Sequence, residues 1–385
     1  MFANVLICFS VYILTKKHKT SKIIVGKYGK AILEITLHKS FAIISKMKIL
    51  NQDKENVKKN FWRMFMINEI VKSLDYKIIA FIGILAAYIL TCGLLSACKE
   101  MLPRDAGRNF AHNGKVSAGK PRGAGFIFIL VFSAVAITVL KLNREIIIYI
   151  ILTIAAMITG FLDDCSKSPW GEYRKGILDL IIAVMVAITY VNFNSSTIYI
   201  NMIDKSFTLN PIVFIVLATI LVWASINVTN CSDGVDGLCG TLSIITLFSI
   251  YLYGIIKEKD NNFNYMILIL LACILAYLWF NATPSKMIMG DAGSRALGLF
   301  ISIAALKTDS PLLYIPLAFI LIVDGGLGLI KVSLIRFLKV RIMNNIRTPI
   351  HDHVRKNSGW SNEEVVFKFS ILQIIIAFST LWLLR

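Results

Sequence analysis

Ten apolar runs, most of them close to the roughly 20 residues needed to cross hydrocarbon, divide this 385-residue chain. They fall near residues 77–97, 123–141, 145–162, 176–194, 211–229, 238–256, 263–281, 294–306, 311–337 and 364–384. A lipid interior offers no water to unpaired backbone groups, so such runs must be helices. The composition, 56% hydrophobic, excludes an ordinary soluble domain. The expected fold is therefore all-α: a polytopic membrane protein of about ten transmembrane helices over residues 77–385. The net charge of +18 would suggest nucleic acid in a soluble protein. Here Lys and Arg sit in short loops, where they anchor cytoplasmic ends and attract anionic lipids and substrates, so no nucleic-acid partner is expected.

The loops 98–122, 163–175, 230–237, 282–293 and 338–363 all lie on one side if ten runs cross. They are the longer and more basic set, which makes that side cytoplasmic and puts both termini outside. Residues 1–76 form a basic stretch with no assigned chemistry. We expect a variable extension, or translation starting further in, for example at Met64 or Met66. Seven scattered cysteines without a C-x-x-C pair predict free thiols.

Polar clusters recur on that one side. N-V-T-N-C-S-D-G-V-D-G places Asn227, Asn230, Asp233 and Asp236 at every third position, at the mouth of a membrane helix. Gly234 and Gly237 break the helix, so the two aspartates line a loop. Asparagine suits sugar hydroxyls and amide edges; aspartate suits Mg²⁺ or a protonated ring nitrogen. Asp163 and Asp164 end the third run; about 100° apart on a helix, one should face the site and the other a loop cation such as Lys167 or Arg174. In M-G-D-A-G-S, small residues let backbone approach a ligand beside Asp291. Ser294 is expected to cap the next helix, whose free N–H groups would face a phosphate. The Gly-rich loop 104–125 offers Lys115, Lys120 and Arg122 to phosphates. In the last loop, His351 and His353 flank Asp352; no third His is near, so contacts to substrate fit better than zinc. Ser361 and Glu364 form a capping box for the final helix.

Taken in order, G-F-L-D-D, N-x-x-N-x-x-D-G-x-D-G and the N-x-T-P-x-x-x-x-M-G-D-x-G-S segment from Asn281 resemble the polyprenyl-phosphate N-acetylhexosamine-1-phosphate transferase superfamily. The loop P-I-H-D-H-V-R-K-N-S-G-W-S-N-E-E is similar to the muramoyl-pentapeptide branch. The resemblance runs from about Lys77 to the C-terminus. Three positions depart from the pattern: Asp352 replaces the middle imidazole of a triple His, and Lys120 and Arg122 stand where threonines are usual. Lys115 is the counterpart of a family lysine, with Lys120 its rival, and the further lysine usual in the helix after the D-D pair is not evident.

The resemblance implies a cytoplasmic-side cleft, Mg²⁺ as cofactor, and transfer of phospho-N-acetylmuramoyl-pentapeptide from UDP-MurNAc-pentapeptide to undecaprenyl phosphate in a bacterial plasma membrane, with a possible homodimer. It makes Asp163, Asp164, Asp233, Asp291, His351 and His353 the catalytic set, with Asp291 as metal ligand and Asp163 as base or orienter. Lys115, Lys120, Asn227, Asn230, Asp236 and Asn281 would bind substrate, Asp236 and Asn281 at the uracil end. Two alternatives are weighed against it: the sister branch that uses N-acetylglucosamine 1-phosphate, and an ion-coupled transporter. The transporter should carry its carboxylates near the midplane in repeated halves, whereas here they sit at one end of the runs.

Overall fold

The structure is a computed structural model that describes residues 75–107 and 117–385, apart from Lys167, Pro169 and Asn344. Lys115 and the stretch before Asp75 lie outside the described residues.

Every apolar run in the described residues is helical. In chain order they are α1 (Tyr76–Cys98), α2 (Ala124–Val139), α3 (Arg144–Asp164), α4 (Glu172–Phe193), α5 (Pro211–Cys231), α6 (Leu238–Ile256), α7 (Asn261–Asn281) and α8 (Gly290–Leu306). The ninth run is broken into α9 (Pro311–Leu317) and α10 (Phe319–Arg336), bent by 76°. A short α11 (Ile350–Asn357) precedes α12 (Asn362–Leu383). One antiparallel hairpin, Thr197–Ile200 with Lys205–Thr208, joins α4 to α5.

Seven of these helices are long and apolar enough to cross a membrane, or eight if the bent pair is one span, against the ten expected from the runs. The shortfall is one of length. α2 has 16 residues and α8 has 17. At about 1.5 Å per residue each falls short of a hydrocarbon core roughly 30 Å thick.

α8 is the axis of the bundle, with all 17 of its residues buried. α2, α3, α5 and α6 pack around it. Lipid is as apolar as leucine, so close packing and hydrogen bonds must hold such helices together. Glycines supply the close approach. A methyl group on Gly125 of α2 would lie 2.0 Å from the Gly293 backbone nitrogen of α8; one on Gly160 of α3 would lie 2.2 Å from the Asp291 carbonyl oxygen. On the other side Gly298 of α8 meets the Ser225 carbonyl of α5 in the same way.

The break in the ninth run follows Pro316, and the hydrogen bonds it frees are taken up by a neighbour. Gln373 of α12 is fully buried; its Oε1 accepts from Ile320 N at 2.7 Å and its Nε2 donates to Leu317 O at 2.7 Å. Beyond the break α10 opens into a π-helical turn at Ile322–Gly326. Gly325 there lies against the Val228 carbonyl of α5, and the turn carries the buried Asp324. The Ser361–Glu364 capping box forms as expected, with both reciprocal hydrogen bonds present.

Candidate active site at one end of the bundle

The C-terminal ends of α3, α5 and α7 and the N-terminal ends of α2, α4 and α8 meet at one end of the bundle, and the polar motifs meet with them. The backbone joins them first. Residues 121–125 run beside 288–289, with Ile288 N donating to Pro121 O and Gly125 N to Met289 O. This places Lys120 and Arg122 against the loop that carries Asp291.

Asp164 caps α8 from another helix. Its Oδ1 accepts from Asp291 N and its Oδ2 from Ala292 N, both at 3.1 Å. Ser294 is therefore not the cap. It lies within α8, and its hydroxyl donates to Asn230 Oδ1 at 2.9 Å and to Gly290 O. The amides expected to face a phosphate are already engaged by a carboxylate, which the positive end of the helix favours in the same way.

Two cations knit the carboxylates together. Arg122 donates from Nε to Asp164 at 2.7 Å, from Nη1 to Asp105 at 3.1 Å and from Nη2 to Asp291 at 3.2 Å. Burial alone would lower the Arg122 pKa, but the carboxylates of Asp164, Asp291 and Asp105 raise it, so the guanidinium stays charged. Lys175, in the first turn of α4, bridges Asp163 and Asp291 with Nζ at 2.5 and 2.9 Å. Asp163 also accepts from Trp170 N at 2.6 Å.

A lysine, Lys175, therefore does stand in the first turn of the helix after the D-D pair, where none was evident from the sequence. One aspartate does turn to a loop cation, but the cation is Arg122, not Arg174: Asp164 pairs with Arg122 and Asp163 with Lys175, while Arg174 stacks on Trp170 and Lys167 lies outside the described residues. Helix α4 starts at Glu172, so Lys175 lies on the turn that faces α3. Four carboxylates (Asp105, Asp163, Asp164, Asp291) surround two cations in this cluster, a formal excess of two negative charges.

A second cluster adjoins it. Lys120 reaches Asp236 at 3.5 Å and Ser285 Oγ at 2.9 Å, and Asp236 accepts from Ser285 N at 3.1 Å. Asn281, buried at the end of α7, ties two loops: its Oδ1 accepts from Gly237 N and its Nδ2 donates to Met287 O, both at 2.8 Å. Helix α5 stops at Cys231, between Asn230 and Asp233, so Asp233 and Asp236 lie in a loop as the glycines predict. Gly237, with φ of 83°, makes the turn into α6. Asn227 does not join either cluster through its amide nitrogen, which donates to Trp223 O one turn back on α5.

The third group centres on His351. Asp324 accepts from its backbone N at 2.8 Å and lies 2.9 Å from its Nδ1. Nε2 is pressed against Gly234, where an added methyl would sit only 2.2 Å away. His351 therefore lies beside the Asp233–Asp236 loop. His353 points elsewhere and accepts from Arg347 N at 3.2 Å through Nδ1. Asp352, in place of an imidazole, is buried in ion pairs with Arg355 and Arg347. The 232–237 loop is the hub of the site: Asn230, just before it, touches α8, Gly234 touches His351, and Asp236 touches Lys120.

The profile of glycosyl transferase family 4 matches residues 146–309. A phospho-N-acetylmuramoyl-pentapeptide-transferase of Treponema pallidum (strain Nichols) is 36% identical over 328 residues, 80% of this chain and 90% of its own length. The chain belongs to the phospho-N-acetylmuramoyl-pentapeptide transferase family. Relatives of the same name from Dictyoglomus turgidum and a Wolbachia of Drosophila simulans are 30% and 26% identical, each over 67% of this chain. The family membership and the apolar helices together make this a multi-pass membrane enzyme.

Proposed function

We propose that this transferase moves phospho-N-acetylmuramoyl-pentapeptide from UDP-MurNAc-pentapeptide to undecaprenyl phosphate, releasing UMP, at the cytoplasmic face of a bacterial plasma membrane. One observation carries the reading: Asp163, Asp164 and Asp291, from two helices, converge with Arg122 and Lys175 at the membrane-helix ends. The basic loops at this end of the chain support a cytoplasmic placement.

The donor set suits a magnesium ion, which typically takes one or two carboxylates and completes its shell with water and substrate phosphate. Asp163 and Asp291 converge on a single point, held here by the Lys175 ammonium, and the cluster's excess negative charge matches a divalent cation. Among the described residues no three acidic, His or Cys side chains are placed to hold one metal ion together. Asp291 is the first ligand in this reading. Bound there, Mg²⁺ would neutralise charge that builds on the diphosphate as it is attacked.

The protein's own part is positioning and electrostatics, which dominate phosphoryl transfer. Arg122 and Asp164 hold the start of α8 and so fix Asp291. Lys175 supplies a cation to the transferred phosphate. Asp163 orients the lipid phosphate; a phosphate monoester with a second pKa near ~6 is mostly ionised at neutral pH and needs no base. Asp236 and Asn281, with Lys120, form the uridine end; Asn230 and Asp233 lie toward ribose and phosphate. His351 faces the sugar-phosphate side, held in one tautomer by Asp324.

The test is release of UMP from UDP-MurNAc-pentapeptide by purified protein with undecaprenyl phosphate and Mg²⁺, with UDP-GlcNAc in parallel. UMP and a lipid-linked product from the muramoyl donor alone are expected. Turnover of UDP-GlcNAc would move the chain to the sister specificity, and no UMP from either donor would overturn the reading.

A further inference from the structure

One turn below the reactive cluster lies a charge pair that the proposed chemistry does not use. Arg295 of α8 and Asp179 of α4 are both buried, and Arg295 is fully so. Arg295 donates to Asp179 Oδ1 from Nε at 3.1 Å and again from Nη2. Its Nη1 is buried with no hydrogen-bond partner among the described residues. Asp291 and Arg295 are four residues apart on α8, and Lys175 and Asp179 are four apart on α4, so each pair shares a helix face. The two helices thus carry a ladder of opposite sign: Lys175 on Asp291, and one turn deeper Asp179 on Arg295.

Such a pair is costly where it stands. Charges in apolar membrane helices are expensive, and a guanidinium with an unpaired nitrogen is more so. Two apolar side chains of similar volume would pack here at no loss of stability, and often at a gain. Retention of the ions needs another reason, and their place supplies it. The pair fixes the rotation of α4 against α8, and that rotation decides whether Lys175 reaches Asp291.

We propose that Arg295 and Asp179 are positioning residues for the transfer reaction, which set Lys175 on Asp291 and so hold Asp163 and Asp291 together at the point where a divalent cation would bind. The proposal rests on the function proposed above. Outer-layer partners of metal ligands typically matter by about 10–100-fold in metal affinity or activity.

The experiment replaces both ions together, Asp179→Leu with Arg295→Met, so that no unpaired charge is left in the bundle. Thermal midpoint in detergent, UMP release, and Mn²⁺ binding without substrate by electron paramagnetic resonance are measured beside wild type. The expected variant is folded, with a midpoint equal to or above wild type. Its kcat falls about 10–100-fold with little change in KM for the nucleotide donor, and it binds Mn²⁺ more weakly by a similar factor. Wild-type turnover and Mn²⁺ affinity in the double variant would overturn the proposal, as would its failure to fold, which would make the pair purely structural. A wild-type protein that binds Mn²⁺ but releases no UMP would instead refute the proposed function, leaving the Mn²⁺ comparison to decide the pair's role.

Discussion

Replacing Gly160 by alanine tests whether the close crossing of α3 and α8 builds the site. A methyl group at Gly160 would lie 2.2 Å from the Asp291 carbonyl oxygen and 2.6 Å from Ala292 N. These are backbone atoms on a fully buried helix, so no side chain can swing away. The helices must part by about 1 Å, a displacement that costs on the order of 10²-fold in rate when it falls on reacting groups. Asp163 and Asp164 follow Gly160 within about one turn, and Asp291 is the residue struck. Alanine favours a helix by about 0.5–1 kcal/mol over glycine, but overpacking costs about 1–3 kcal/mol. The net expectation is a stability loss of about 1 kcal/mol with a much larger loss of turnover. Gly93→Ala on the exposed face of α1, with no atom within 4 Å, is the control and should leave turnover unchanged. The assay is UMP release, normalised to folded protein by thermal midpoint. Wild-type activity and stability in Gly160→Ala would refute the claim that this contact positions the aspartates.

Three further outcomes follow from particular contacts. Lys175→Gln keeps the volume but removes the charge shared by Asp163 and Asp291; kcat should fall about 10²–10³-fold, and an unchanged kcat would remove Lys175 from the chemistry. Asn281→Ala leaves Gly237 N and Met287 O without their partner; a cost of about 1–3 kcal/mol should appear as a lower midpoint with weaker nucleotide binding by calorimetry. Ser361→Ala breaks the capping box of α12, a helix that supplies none of the proposed reacting groups; it should lower stability by about 1 kcal/mol and spare turnover.

The ends of the helices were legible in the sequence and the pairings between them were not. Asp163, Asp164, Asp233, Asp236 and Asp291 stand out because each sits where an apolar run stops, and a carboxylate there is costly unless used. The stop of α5 before Asp233 was readable from Gly234 and Gly237. Lys175 was hidden among lysines and arginines that anchor loops; its one signal is its place in the first turn of the helix after the D-D pair. Asp179, Arg295 and Asp324 are charges within apolar runs that the sequence alone did not single out, because their partners lie on other helices. Asp179 meets Arg295 across 116 residues and Asp324 meets His351 across 27. The cap of α8 was misread for the same reason: Ser294 is the local candidate, but Asp164 arrives from 127 residues away. All ten runs are helical, and the count of spans by length is eight at most because α2 and α8, which start in the loops that build the site, are short.

Asp291 is the carboxylate around which the proposed reaction is organised. Its most direct test is UMP release by Asp291→Asn, with UDP-MurNAc-pentapeptide, undecaprenyl phosphate and a range of Mg²⁺ concentrations. Asparagine keeps the shape and loses the charge that Arg122 and Lys175 engage. We predict a folded protein whose turnover is abolished at every Mg²⁺ concentration, as wild-type turnover is by EDTA. Near wild-type turnover in that variant, or wild-type turnover that persists in EDTA, would contradict the account.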